Sequence, residues 1–252
     1  MDTQQALIRY CLRLGDTNLI LGHRLSEMCS RGPMLEEDIA LTNIALDHIG
    51  QAEVLLNHAA ELENLGRTGD DLAYLRPEWE YYNMLLTEQP NVDFAYVIVR
   101  QYFIDLWQCL LYDHLRSSND KILAGLATRF LKEALYHRRH SSSWIVRLGL
   151  GTEESLQRLV AAIGGLWKYT GELFESDEVE QALSLAGMAP DPGSLRGLWL
   201  DAVKSDFEKA ALSVPVSAHF STGGRSGRHE EHLGHLLAEM QYLPRAFPGA
   251  GW

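Results

Sequence analysis

The sequence is short of cysteine and has no long apolar run. Its 252 residues include three cysteines, Cys11, Cys29 and Cys109, and none of them forms a Cys-x-x-Cys pair. We therefore expect neither a disulfide framework nor a zinc site, and the cysteines are predicted to be small core residues. No apolar run reaches the ~18 residues of a membrane helix, and no secretory signal is recognisable, so the sequence predicts a cytoplasmic protein.

Basic side chains are also scarce relative to acidic ones. The chain has 22 basic and 34 acidic residues and a formal net charge of −12 at pH 7. An acidic surface is repelled by the phosphates of nucleic acids and by anionic lipid headgroups. The sequence therefore predicts no nucleic-acid partner and no membrane partner, and it leaves other proteins and small molecules.

Carboxylates are absent from four positions or pairs of positions where a metal-binding bundle would need them. Four helical stretches have an apolar stripe that is interrupted by polar residues. The positions concerned are Asn18 in the first stretch, His48 and Gln51 in the second, Gln101 in the third, and Ala134 with His137 in the fourth. A buried polar group costs roughly 1–3 kcal/mol unless it is paired. We expect these residues to face a shared site or its remnant.

The order single, pair, single, pair is that of a carboxylate-bridged dimetal bundle. In such bundles two helices give one Glu or Asp each, and two give Glu-x-x-His, whose spacing places both ligands on one helix face. Here Asn18 replaces a carboxylate, His48 and Gln51 replace a Glu-x-x-His pair, and Ala134 precedes His137. Bridged metals need several anionic oxygens, so we predict a degenerate site with no metal and no catalytic residue.

The third ligand position is open between Arg100 and Gln101. A shift of one residue rotates a helical side chain by about 100°, and the apolar stripe alone does not fix the register.

The predicted architecture is all-α. Four long helices are expected over about 3–30, 36–65, 93–115 and 120–148, with a polar loop at 66–75 and a short aromatic helix that Pro77 opens and that runs through Tyr81, Tyr82 and Met84. Further helices are expected over about 154–175, after Ser176, over 191–211 and over 229–243, with no periodicity at 213–228. Because no linker separates them, we predict a single domain over 1–252, with a core bundle at about 3–149 and appended helices at about 152–245.

Several motifs resemble the structural subunits of bacterial phenylacetyl-CoA epoxidases, and they follow in the expected order along almost the whole chain. These motifs are Arg13-Leu14-Gly15-Asp16, the segment Asn43 to Ala52, Glu88-Gln89-Pro90-Asn91, the segment Arg100 to Asp105, Lys132-Glu133-Ala134, and the segments Glu231 to Gly234 and Leu237 to Leu243. The resemblance implies a ferritin-like four-helix bundle with additional C-terminal helices.

The same resemblance implies a role in a complex. A subunit of this kind pairs with a homologous catalytic subunit that keeps the di-iron ligands, as a heterodimer within a higher hetero-oligomer. Other epoxidase subunits include a reductase with FAD and an iron–sulfur centre. The complex uses O2 and NADPH to epoxidise the ring of phenylacetyl-CoA in aerobic phenylacetate catabolism. This chain itself is expected to hold no cofactor.

The resemblance also implies that the chain touches the acyl-CoA. The segments concerned are Glu80-Tyr81-Tyr82-Asn83 and Gln181-Ala182-Leu183, whose aromatic rings and amides suit the adenine or pantetheine parts of coenzyme A. An equally good interpretation is that Tyr81 and Tyr82 only pack against the bundle. Arg225 and Arg228, in a glycine-rich stretch before a helix, are candidates for a phosphate contact. A loop that orders against a partner subunit would have the same composition.

Two other interpretations remain open. His48 and His137 suit a mononuclear metal site with Asp47 or Glu133, which would make the chain an independent metal-binding protein or oxidase. Such sites normally have at least three protein ligands, so we favour a hydrogen-bonded core pair. A self-assembling iron-storage shell would again need the missing carboxylates.

A histidine cluster precedes the last predicted helix. His229, His232 and His235 lack the four-residue spacing of His-Glu-x-x-His, so we expect a solvated first helical turn there.

Overall fold

The computed structural model describes residues 1–216 and 219–250, and every regular element within these ranges is helical. In chain order the α-helices are α1 (Thr3–Ser26), α2 (Leu35–Glu63), α3 (Gly69–Tyr74), α4 (Leu85–Glu88), α5 (Phe94–Leu115), α6 (Lys121–Gly149), α7 (Glu153–Leu166), α8 (Glu178–Leu185), α9 (Pro192–Lys209), α10 (Glu231–Met240) and α11 (Tyr242–Ala246). The all-α prediction and its four long helices, α1, α2, α5 and α6, are confirmed. No helix in the described ranges has the length and apolar character needed to cross a bilayer.

The described residues cluster into two compact units. The α1–α2 unit comprises residues 4–90 and the chain from 222 onward, and the α5–α6 unit comprises residues 1–3 and 91–221. The expectation of a single domain over 1–252 stays a prediction.

In the α1–α2 unit the two long helices are antiparallel and closely packed. A Cβ atom on Gly15 would lie 2.7 Å from Cδ2 of Leu56, and one on Gly22 would lie 2.9 Å from Cγ1 of Ile49. The pairing of an early residue of α1 with a late residue of α2, and the reverse, defines the antiparallel direction. The glycines let the backbones approach, because any larger residue would push the helices apart.

In the α5–α6 unit, α5 is buried around most of its circumference, whereas α6 buries one face. Asp93 caps α5 by accepting a hydrogen bond from the Tyr96 amide at 2.8 Å, and Asp120 caps α6 through Leu123 at 2.8 Å. The buried residues of α6 recur every three to four positions, which is the pattern of a helix packed on one side. They are Leu123, Ala127, Phe130, Ala134, His137, Ser141, Ile145 and Gly149.

Two sequence predictions about the segment after α2 are wrong. The expected polar loop at 66–75 contains α3, which begins with a capping box between Thr68 and Asp71. The expected aromatic helix is a single 3-10 turn, Glu78–Glu80, followed by extended backbone. Extended backbone wins there because tertiary hydrogen bonds hold it, such as the one from the Tyr82 amide to Asp16 at 2.8 Å.

The C-terminal half differs from the predictions mainly in helix ends. The helix expected over 154–175 is α7 followed by a 3-10 segment, Trp167–Phe174. The last predicted helix begins at Glu231 and is divided at Gln241 into α10 and α11. Within the segment predicted to lack periodicity, Gly224–Ser226 forms a 3-10 turn, and residues 217 and 218 lie outside the described ranges.

Candidate functional site

The ligand positions of the α1–α2 unit form hydrogen bonds within the protein. Asn18, His48 and Gln51 are all buried. The Asn18 side-chain NH2 donates to the Leu14 carbonyl at 2.9 Å, which orients its Oδ1 toward His48. His48 Nδ1 lies 2.8 Å from that oxygen. An amide oxygen only accepts, so we assign the proton to His48 Nδ1, and the nitrogen is then a donor rather than a metal ligand.

The ligand positions of the α5–α6 unit are equally buried. Gln101, Ala134 and His137 have no exposed surface. Gln101 donates from Nε2 to Oδ1 of Asp105 at 2.5 Å, and Ser141 of α6 donates to the other carboxylate oxygen at 2.7 Å. These bonds place Gln101 on the face of α5 that carries the α6 contact.

Arg100, the alternative at the third ligand position, points elsewhere. It is fully buried, and its Nη2 donates to Asn91 Oδ1 at 2.7 Å. The structure therefore favours Gln101 as the residue at this position.

Asp105 is a candidate residue that the sequence analysis missed. It is fully buried, and one of its carboxylate oxygens lies within 4.8 Å of a ring nitrogen of His137. Burial raises the pKa of Asp105 to about 6, against the opposing effects of His137, Ser141 and Gln101. Its position one helical turn after Gln101 is the sequence signal that would have identified it.

These six positions do not fit a di-iron centre. None of them carries a carboxylate, whereas a bridged pair of irons requires several. The described polar groups are engaged with one another, as Asn18 is with His48 and Gln101 with Asp105. The arrangement supports a packed polar core rather than an open metal coordination site.

The segment predicted to touch acyl-CoA in the α1–α2 unit is partly inaccessible. Tyr81 is fully buried, and its hydroxyl donates to the Ala73 carbonyl at 2.5 Å and accepts from Gln241 at 2.7 Å. Asn83 is also buried. Glu80 and Tyr82 keep some exposed surface, and the Arg9 guanidinium lies 3.9 Å from the centre of the Tyr82 ring. A ligand on this segment would therefore contact Glu80 and Tyr82.

The other predicted contacts vary in exposure. In the α5–α6 unit, Gln181 is exposed, Ala182 is half-buried and Leu183 is buried. In the α1–α2 unit, Arg225 is only 9% exposed, whereas Arg228 is exposed. Of the two arginines, Arg228 is the one that presents its side chain for a phosphate contact.

A buried polar cluster around Glu88 was not predicted. Glu88 accepts from the Glu230 amide at 2.8 Å, from the Asn83 side chain at 2.9 Å and from His229 at 2.8 Å. The solvated turn expected at His229 is wrong, because this side chain has 0% exposure in its pair with Glu88. Burial by itself lowers the pKa of His229, but the hydrogen bond and charge of Glu88 raise it above its usual value.

A second buried cluster joins Asp16 to Arg76. The Arg76 guanidinium makes two hydrogen bonds to the Asp16 carboxylate and lies 4.3 Å from the centre of the Tyr81 ring. The Arg76 carbonyl accepts from Gln241 at 2.9 Å. Asp16 and Glu88 both belong to motifs singled out in the sequence, and here both fasten the segment between α3 and α5 to the rest of the α1–α2 unit.

The chain matches known proteins along its whole length. A family model described as "Phenylacetic acid catabolic protein" matches residues 1–252. One of the component proteins of the 1,2-phenylacetyl-CoA epoxidase of Escherichia coli (strain K12) is 49% identical over 246 residues, which are 98% of this chain and 99% of that protein.

Proposed function

The chain belongs to the family of phenylacetic acid catabolic proteins, and from this premise we propose that it is a structural, non-catalytic subunit of a phenylacetyl-CoA epoxidase. The expected ferritin-like, all-α fold class is confirmed. The observation that carries the proposal is the identity and engagement of the residues at the ligand positions. Asn18 is bonded to His48, Gln101 is bonded to Asp105, and Ala134 has no donor atom at all.

Substitution of charged ligands by neutral polar groups changes what a buried helix pair can do. A carboxylate buried without metal is expensive, since an unpaired buried charge shifts its pKa or destabilises the fold. Neutral amides and an alanine remove that cost and leave a core that is stable without metal. This is the chemistry expected of a subunit that stabilises an assembly rather than activating O2.

In the proposed complex the catalytic work falls to other subunits. A homologous partner would hold the di-iron centre, and a reductase with FAD and an iron–sulfur centre would deliver electrons from NADPH. This chain would contribute helical surface in a heterodimer and in a higher hetero-oligomer. An obligate interface of that kind buries on the order of 2,000 Å² or more.

The chain would also help to bind the acyl-CoA. Exposure restricts the contacts that support this to Glu80 and Tyr82 in one unit, Gln181 in the other, and Arg228 for a phosphate. Tyr81, Asn83, Leu183 and Arg225 would then support these residues from behind rather than touch the ligand.

Metal analysis tests the proposal directly. The purified chain should be metal-free and without oxygenase activity, whereas the chain co-expressed with its di-iron homologue should form an active pair with about two irons per heterodimer. Stoichiometric metal on the chain alone, or failure to form a complex with the homologue, would overturn the proposal.

A mononuclear metal site is a second candidate, which the position of Asp105 favours. The sequence analysis offered only Asp47 or Glu133 as a carboxylate for His137, and the structure provides Asp105 within 4.8 Å. Under this alternative the isolated chain would bind about one zinc or iron, and both Asp105→Asn and His137→Gln would abolish that binding. Retention of metal by either variant would exclude these ligands.

A further inference from the structure

The α1–α2 unit contains an open groove that the preceding functions do not use. α3, α10, α11 and the residues that follow α11 surround a cavity of ≈ 510 Å³. Tyr74, Leu75, Met240, Leu243 and Phe247 supply most of its apolar lining. The groove therefore combines the first short helix of the unit with its last two.

Large apolar side chains of this groove are exposed. Leu75 and Leu243 are each 49% exposed, and Phe247 is 56% exposed. Single exposed apolar residues are common on protein surfaces, but several around one concave site mark an interaction surface. At roughly 25 cal/mol per Å² of apolar area, covering them would favour association.

The charged residues at the groove are all acidic. Asp70, Asp71 and Glu239 line it, and no lysine, arginine or histidine is among its described lining residues. The Asp71 carboxylate is held in the capping box by Thr68. Asp70 and Glu239 are exposed, and neither side chain has an ion-pair partner within the described part of the chain.

We propose that this groove docks a segment of another subunit of the epoxidase complex, with an apolar side chain in the groove and lysine or arginine beside it. The inference rests on the proposed function, because it assumes that the chain belongs to such a complex. Apolar lining selects the anchor, and the two exposed carboxylates select its basic neighbours.

The same charges argue against two other occupants. Coenzyme A carries phosphates, which Asp70 and Glu239 repel, so the groove is separate from the acyl-CoA contacts proposed above. A second copy of this chain carries the same net charge of −12. Two copies therefore repel each other at long range, whereas a basic segment is attracted.

The test measures binding of the full chain to each of the other subunits, purified separately. Asp70→Asn with Glu239→Gln removes the charges and keeps the shape of the groove, and Leu243→Ser removes an apolar contact that is already half exposed. Leu185→Ser is the matched control, because Leu185 is 92% exposed on α8 in the other unit. Circular dichroism verifies that all variants fold.

We expect both groove variants to weaken binding to the same subunit while the control has no effect. Leu243→Ser should lower the affinity about tenfold or more, as loss of a central apolar contact does. The charge variant should slow association several-fold at low salt, and the difference should vanish near 1 M salt, where the screening length is about 3 Å.

Other outcomes overturn the inference in distinguishable ways. If the chain binds other subunits and both groove variants bind them normally, the groove is not a docking site and the proposed function stands. If Leu243→Ser instead abolishes self-association, the occupant is a second copy. If the wild-type chain binds no other subunit, the proposed function fails together with the inference.

Discussion

The imidazole of His229 and the carboxylate of Glu88 form an ion pair at 2.8 Å with 0% exposure of both side chains. The second ring nitrogen of His229 lies 2.9 Å from the Tyr81 carbonyl. Both nitrogens face acceptors, so both must carry hydrogen, and the ring is an imidazolium. The pair fastens the chain just before α10 to α4, and the residues between α3 and α5 depend on it.

Removal of one partner of this pair should destabilise the protein strongly. We expect His229→Gln to lower the free energy of unfolding by about 3–5 kcal/mol, because it leaves the Glu88 charge buried without its counter-ion. The double variant with Glu88→Gln should recover much of the loss. Urea denaturation of the wild type and the three variants measures this, and equal losses in the single and double variants would contradict the argument.

The same pair predicts a pH dependence of stability. The pKa of His229 in the folded protein is raised above its unfolded value near 6.5. The stabilisation is therefore fully present below about pH 6.5 and is lost as the pH rises through the folded pKa. Denaturation between pH 6 and 9 should show this decline in the wild type and not in His229→Gln. An NMR titration that puts the His229 pKa below that of the unfolded chain would refute it.

Asp105 predicts a pH dependence that comes from burial rather than from an ion pair. Its pKa rises from an ordinary value near 4 to about 6, so the folded protein binds a proton more tightly than the unfolded chain between these values. Stability should fall by about 3 kcal/mol as the pH rises across this interval. Asp105→Asn should remove this contribution and should be more stable than the wild type at pH 7.5. A steeper pH dependence in the variant would contradict the assignment.

The sequence predicted the long helices and failed where tertiary contacts decide the backbone. Apolar stripes fixed α1, α2, α5 and α6 because a long amphipathic pattern has one good solution. The segment around Tyr81 was predicted as helix, since Pro77 and the aromatic residues gave no hint of the bonds from Asp16 and Gln241. Pairing partners such as Glu88 and His229 are 141 residues apart, and no local pattern connects them.

For the candidate site, composition was more informative than geometry. The absence of carboxylates at the ligand positions was readable directly, because it depends on residue identity at helical spacing. Asp105 escaped notice because the stripe was traced through Ile104, and only the hydrogen bonds from Gln101 and Ser141 show which neighbour faces inward.

The two neighbouring tyrosines should separate stability from ligand binding. Tyr81→Phe removes a buried hydroxyl that serves Ala73 and Gln241, and we expect a loss of about 1–3 kcal/mol with unchanged affinity for acyl-CoA. Tyr82→Ala removes a half-buried ring that stacks under Arg9, and we expect weaker acyl-CoA binding by the assembled complex with little loss of stability. Thermal unfolding and acyl-CoA titration of each variant measure both effects. A loss of affinity with Tyr81→Phe at unchanged stability would reverse the assignment.

Restoring one carboxylate at the ligand positions should not restore a metal site. Ala134 has 0% exposed surface, so Ala134→Glu places a larger and ionisable side chain into a filled core. We expect a loss of 3 kcal/mol or more, on the order of that for a buried unpaired carboxylate, and the loss should grow as the pH rises through the raised pKa of the new group. Ala134→Gln is the size-matched control, and its smaller loss should not depend on pH. Iron or zinc should stabilise neither variant, because the remaining positions still lack carboxylates. Metal-dependent recovery of Ala134→Glu would show that the rest of the site is competent and that the chain is closer to a metalloprotein than its residues indicate.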